Sequence, residues 1–214
     1  MIQEKHLKGK FITIEGSEGA GKSTNIQFIE DYLTEHNIPF ILTREPGGTP
    51  LAEKIRDLLL DKANTSLCDD TELLLMFAAR AQHLNEKIIP ALEAGKWVIS
   101  DRFTDASYAY QGGGRGLSWQ KIAQLEQWVQ GDLRPDATIL LDIPVEQGMQ
   151  RVRDRGETDR FEQEQLSFFQ RIRDSYLKLA KDNPERFYII NTLPAIAEVH
   201  KQLHSVMHKI AAYE

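Results

Sequence analysis

The sequence predicts an α/β fold, with a five-stranded parallel sheet and helices on both faces. Three observations lead there. Short apolar, β-branched runs alternate with segments of helical periodicity along the whole chain. Each such run is followed by a helix, and that alternation produces parallel strands joined by right-handed crossovers. Between the first strand and the first helix lies Gly16-Ser17-Glu18-Gly19-Ala20-Gly21-Lys22-Ser23-Thr24. Its spacing is G-x-x-x-x-G-K-[ST], which aims backbone N–H groups and a helix dipole at a phosphate chain. The fold class is therefore that of a P-loop NTPase. Lys22 is expected to reach the terminal phosphates of a nucleoside triphosphate, and the Ser23 hydroxyl to ligate Mg²⁺.

The elements follow in order. Phe11 to Ile14 is a buried strand, and Ile26, Ile29 and Leu33 give the helix from about Ser23 to His36 an apolar stripe. Asn37-Ile38-Pro39 breaks the chain before a second strand, Phe40 to Thr43. That strand runs into Arg44-Glu45-Pro46-Gly47-Gly48-Thr49, either a plain polar turn or a ligand-binding one. Leu51, Ile55, Leu58 and Leu59 mark a short helix with Arg56 beside its stripe. A longer helix opens at Asp69 with the Asp69-x-x-Glu72 spacing of a capping box. It carries Met76, Phe77 and Arg80 on one face, is expected to kink at Pro90, and stops at Gly95. Taken alone, Met76 and Phe77 read as core or interface residues.

Lys96 to Ser100 is the third strand, ending in Asp101-Arg102. These two are either a surface pair of little worth or, beside a phosphate loop, a metal-side acid and a phosphate-binding arginine. Ser107, Tyr108, Tyr110 and Gln111 offer groups for a base edge, and Gly112-Gly113-Gly114 reads as a mobile loop. Ser118 caps a helix to Gly131, Ala137 to Asp142 is the fourth strand, and Pro144 opens the next helix. Arg151, Arg153, Arg155 and Arg160 then surround Gly156, as a solvated helix end or as a lid over phosphates spanning about 151–161. Asp159-x-x-Glu162 is expected to cap a helix to about Asp182; Phe187 to Ile190 is the fifth strand, and a final helix follows Pro194.

Composition narrows the function. The 214 residues suffice for one domain, 1–214, with an ample core. No apolar run is long enough to span a bilayer and the first ten residues lack a signal-like core, so no membrane partner is expected. A net charge of −6 argues against nucleic acid as a general partner, and the single cysteine, Cys68, suits a reducing, cytoplasmic setting. No N-K-x-D guanine reader is present, since Asn191 is followed by Thr-Leu-Pro, which argues against a GTP switch or similar non-catalytic regulator. A nucleoside kinase needs a general base at a neutral hydroxyl. A nucleotide kinase must instead neutralise two anionic substrates, which accounts for Arg44, Arg56, Arg80, Arg102 and the lid arginines.

Thr43-Arg44-Glu45-Pro46-Gly47-Gly48-Thr49, Asp101-Arg102-Phe103 and Arg155-Gly156-Glu157-Thr158-Asp159-Arg160-Phe161-Glu162 together resemble the bacterial type of thymidylate kinase, a nucleoside monophosphate kinase-like family. The likeness runs from Phe11 to the last helix. It implies ATP + dTMP ⇌ ADP + dTDP with Mg²⁺, in a cytosolic homodimer supplying deoxynucleotides. By that resemblance Arg56 and Arg102 hold the dTMP phosphate, Arg80 meets the thymine O4 edge, and Ser107 and Gln111 lie along the base. Tyr110 presses on the ribose 2′ carbon, Glu18 approaches the sugar, and Glu45 and Asp101 stand near Mg²⁺ and its waters. The family's base-stacking Phe falls at Met76 here, with Phe77 one residue late, so either can cover the thymine. The other type of the family carries an arginine inside the phosphate loop, where this chain has Gly19. The catalytic arginine is therefore assigned to Arg155, with Arg151 on the ATP side and Arg160 as weaker candidates. On this reading an arginine placed at position 19 restores part of the rate that loss of Arg155 removes.

Overall fold

The computed structural model describes residues 9–64, 66–156, 159–162 and 164–212. In chain order the elements are β1 (Phe11–Glu15), α1 (Lys22–Glu35), β2 (Phe40–Arg44), α2 (Pro50–Leu60), α3 (Asp69–His83), α4 (Ile89–Glu93), β3 (Trp97–Asp101), α5 (Thr104–Ser107), α6 (Trp119–Gln130), β4 (Ala137–Asp142), α7 (Val145–Arg155), α8 (Leu166–Asp182), β5 (Phe187–Asn191) and α9 (Ile196–Ala212). The sheet is five-stranded and parallel throughout, in the order β2-β3-β1-β4-β5. β1, at its centre, is buried along its whole length, with Thr13 and Glu15 as its buried polar residues. Ile29, Leu33, Leu203 and Met207 from α1 and α9 cover one side of the sheet. Met149, Phe169, Ile172 and Tyr176 from α7 and α8 form a second cluster with Leu140 of β4.

The connections leaving β1 and β3 run to opposite sides of these two neighbouring strands. A crevice must open at their carboxyl ends, the switch point where open α/β sheets take ligands. The phosphate loop and Asp101-Arg102 stand on its two lips.

Four local expectations are corrected. Asp159 and Glu162 do bond reciprocally, at 2.9 and 3.1 Å, but α8 starts only at Leu166. Phe161 is drawn inward onto Tyr110, and this keeps the segment out of the helix. Glu72 is no capping-box acid either, because its side chain turns inward and is buried. Gly112-Gly113-Gly114 is not a mobile loop. It belongs to a wide helical turn, Tyr108–Gly114, pressed on α8 so closely that a Cβ at Gly113 would lie 2.1 Å from Ser175 Oγ. The break expected at Pro90 comes just ahead of it, as a second wide turn over Leu84–Ile88 that accommodates the missing proline N–H.

Candidate active site

The loop from Gly16 to Gly21 wraps the start of α1, with Lys22, Ser23 and Thr24 in its first turn. The Lys22 ammonium lies 3.4 Å from the Gly16 carbonyl oxygen. Burial, and to a lesser degree Arg102, lowers its pKa, against the pull of Glu18 and Asp101. Gly19 fits only because α7 offers Gly148 in return: a Cβ on Gly19 would lie 2.0 Å from the Gly148 carbonyl oxygen, and one on Gly148 2.5 Å from that of Glu18. With its φ of +73° as well, position 19 cannot hold an arginine without moving α7, so the expected rescue by Gly19→Arg is withdrawn.

Across the crevice Arg102 takes a left-handed backbone, φ +70°, which only a few non-glycine residues adopt. Its N–H donates to the Ile14 carbonyl at 3.0 Å, and its carbonyl accepts from Ser100 Oγ at 2.7 Å. This kink aims the guanidinium at the phosphate loop, where it donates to Glu18 at 2.6 Å and to the Tyr110 oxygen at 2.7 Å. Tyr110 in turn donates to Glu18 at 2.7 Å, which closes a triangle. Burial pushes the Glu18 carboxyl up, but Arg102, Lys22 and the tyrosine outweigh it and hold it at about 2. The acid of one lip and the arginine of the other are thus one ion pair.

Beyond Arg102 a chamber is lined by Arg56, Met76, Arg80, Ser107, Tyr110 and Gln111. Arg80 is almost completely buried, donating to Glu45 at 2.7 Å, Ser107 Oγ at 3.1 Å and the Phe103 carbonyl at 3.2 Å. Met76 faces this chamber. Phe77 does not line it; its ring lies 4.5 Å from the Arg80 guanidinium, in a cluster with Leu73 and Ile122. Glu45 is also not where a metal ligand belongs, for its second oxygen bonds His83 Nδ1 at 3.0 Å. Arg56 donates to the Pro46 carbonyl at 2.8 Å.

Asp101 has one buried oxygen without a partner among the described residues, and it lines the same cavity as Ser23. No group of three His, Cys, Asp or Glu among the described residues could cage a metal. A hard cation held by one or two protein oxygens, with water and phosphate oxygens completing its shell, fits this donor set.

The lid arginines separate by contact. Arg160 is tied down, donating to the Leu59 carbonyl at 2.9 Å and to Glu72 at 2.6 Å. Arg151 spans the Gly19 carbonyl, at 3.3 Å, and the Thr192 carbonyl, at 3.1 Å. Arg155 is mostly exposed, pairs with Glu162, and lies within electrostatic reach of Glu18. Glu157 and Thr158, quoted for the resemblance, lie outside the described residues.

Glu15, His83 and Tyr176 look like ordinary strand or helix filling in the sequence, and Asp159 and Phe161 entered only as a cap and as part of the resemblance, not as residues lining the site. Glu15 is fully buried at the end of β1, accepting from the Phe103 N–H and from the Tyr176 hydroxyl, both at 2.7 Å. Burial and the charge of Asp105 push it up to about 8 from an ordinary 4.5. The folded chain therefore keeps a proton that the unfolded chain releases near 4.5, and stability falls as pH rises through that window. Glu15→Gln removes this titration. Urea melts at pH 5 and pH 8 are expected to differ less in the variant than in the parent; parallel profiles would refute the assignment.

Residues 14–203 match the family model described as thymidylate kinase. The chain is 57% identical over 203 residues to the thymidylate kinase of Vesicomyosocius okutanii, covering 95% of this chain and 99% of that one. It is 54% identical over 201 residues to that of Ectopseudomonas mendocina, covering 94% and 96%. The crystal structure of thymidylate kinase from Ehrlichia chaffeensis superposes with a TM-score of 0.74 at 36% identity, covering 94% of this chain and 98% of that one.

Proposed function

The chain belongs to the thymidylate kinase family, and from that premise we propose that it transfers the terminal phosphoryl group of ATP to the phosphate of dTMP, giving ADP and dTDP. The observation that carries the reading is the Arg102–Glu18 pair, which joins the triphosphate loop to the wall of the base chamber. Two nucleotides bound on either side meet end to end there.

The acceptor phosphate is already anionic at neutral pH, so no general base is needed. What the residues supply is position and charge. Lys22 and the α1 N-terminus take the donor phosphates, while Arg56 and Arg102 orient the acceptor. Arg80, Ser107 and Gln111 meet the thymine edge, and Met76 lies over its face. Tyr110, fixed by Arg102 and Glu18, leaves no room for a ribose 2′-hydroxyl. Mg²⁺, held through Ser23 and Asp101, neutralises the donor phosphates when bound. Arg151 sits on the ATP side, and Arg155 moves from Glu162 to the transferring group when residues 151–161 close as a lid over one catalytic domain, 1–214. The same family relationship supports a cytosolic homodimer, for which sedimentation is the test.

A coupled assay of ADP release over all nucleoside monophosphates decides the function. Fast turnover with dTMP is expected. A methyl group in a pocket is worth only ~1–3 kcal/mol, so dUMP should be slow rather than inert. Phosphorylation of thymidine itself, or of another monophosphate but not dTMP, would overturn the assignment.

A further inference from the structure

We infer that Glu72 is a positioning residue for base choice: it locks the polarity of the Gln111 amide so that the chamber accepts a pyrimidine offering an imide N–H and turns away one offering a ring lone pair. The inference rests on the dTMP reading above and deepens it.

Glu72 lies on α3, 1% exposed, and does not touch the chamber. Its Oε1 accepts from Gln111 Nε2 at 2.8 Å, and its Oε2 from Arg160 at 2.6 Å. Arg115 approaches both oxygens at 3.4 Å. A carboxylate between two guanidinium groups accepts and does not donate. It therefore dictates which end of the Gln111 amide faces it, namely the NH₂ end. The two ends of a glutamine are otherwise nearly interchangeable in shape, and the hydrogen-bond partner alone decides between them.

The other end follows. Gln111 is 1% exposed, lies in the tightly packed turn Tyr108–Gly114, and lines the chamber. Its Oε1 has no hydrogen-bond partner among the described residues, so the oxygen is the end left for a ligand. Arg80 lines the same chamber and can only donate; Glu45 fixes it as Glu72 fixes Gln111. One of its terminal nitrogens is buried without a partner among the described residues. A donor and an acceptor presented together match a ring carbonyl adjacent to an N–H, as in thymine or uracil. Cytosine presents an amino group beside a lone pair, and both contacts are then wrong. An unpaired or opposed polar group in a closed site costs far more than a missing methyl.

The test measures kcat and KM for dTMP and dCMP with the full chain, with Glu72→Gln and with Glu72→Asp. A carboxamide at 72 can face either end of Gln111, whereas a shorter carboxylate still only accepts. In Glu72→Gln, KM for dTMP is expected to rise about tenfold with a smaller change in kcat, and the dTMP-to-dCMP ratio of kcat/KM to fall about tenfold. Glu72→Asp should keep the parental ratio. Equal losses on both substrates, or a ratio lost equally in both variants, would show that Glu72 only supports the fold and would overturn the inference. Should Glu72→Gln fail to fold, as judged by its thermal melt, calorimetry on the parent protein decides. N3-methyl-dTMP must then bind at least about tenfold more weakly than dTMP, and equal affinity overturns the inference. If the parent makes no dTDP at all, it is the dTMP reading that fails.

Discussion

Replacing Arg102 by lysine is expected to lower kcat/KM for dTMP at least ~10²-fold, a loss typical of removing one preorganised donor. The side chain performs three tasks that an ammonium cannot perform together. It donates to Glu18 and to Tyr110, stacks 4.7 Å from the Tyr110 ring, and has a buried Nε with no partner among the described residues. A planar fork can serve these neighbours and a phosphate at once, whereas a lysine has one nitrogen. The backbone contacts to Ile14 and Ser100 are kept by a lysine, so the expected loss is that of the guanidinium alone. Steady-state kinetics over a range of dTMP concentrations is the measurement. Near-normal constants would return Arg102 to the role of a simple ion-pair partner.

Arg155→Ala should lower kcat and kcat/KM together by about 10²–10³-fold, with KM for either substrate hardly moved. The lid arginines differ in what they already hold. Arg160 is occupied by Leu59 and Glu72, Arg151 by two backbone carbonyls, and Arg153 donates to Gln150 on the surface. Among the described residues Arg155 pairs with one carboxylate, Glu162, which it can exchange for a phosphoryl oxygen, and it feels the charge of Glu18. A group that engages mainly in the transition state leaves ground-state binding untouched, hence the expected pattern. If Arg155→Ala keeps its kcat and loses only ATP affinity, the lid is a clamp and the catalytic charge comes from elsewhere.

Much of this site is legible in the chain itself. The phosphate loop is set by local spacing, and the strand ends by where apolar runs stop, so Lys22, Ser23, Asp101 and Arg102 declare themselves. Tertiary contact decides the remainder. Glu45 looks like a metal-side acid until His83, 38 residues further on, is found on its second oxygen. Glu72 reads as a helix cap from spacing alone, whereas its actual partners lie 39 and 88 residues away. The three glycines 112–114 signal freedom in a sequence, yet here they let α8 approach. Met76 and Phe77 are adjacent and apolar, and only the rotation of α3 relative to Arg80 tells which one meets the chamber.

The contact between Gly19 and Gly148 bears on how this enzyme's descendants can change. Its family holds two designs, one with the arginine in the phosphate loop and one with it in the lid. A lineage with this backbone cannot pass between them by one codon. Any side chain at 19 meets the Gly148 carbonyl, and any at 148 meets that of Glu18, so each glycine vetoes variation at the other. On the role proposed for Arg155, position 155 is expected to tolerate no substitution as long as α7 keeps its seat against the loop. Crossing over demands a prior displacement of α7, during which the lid arginine has to remain. The two designs are separated by a valley rather than a slope, and random single-substitution libraries of this chain should recover revertants at 155 without recovering relocated arginines.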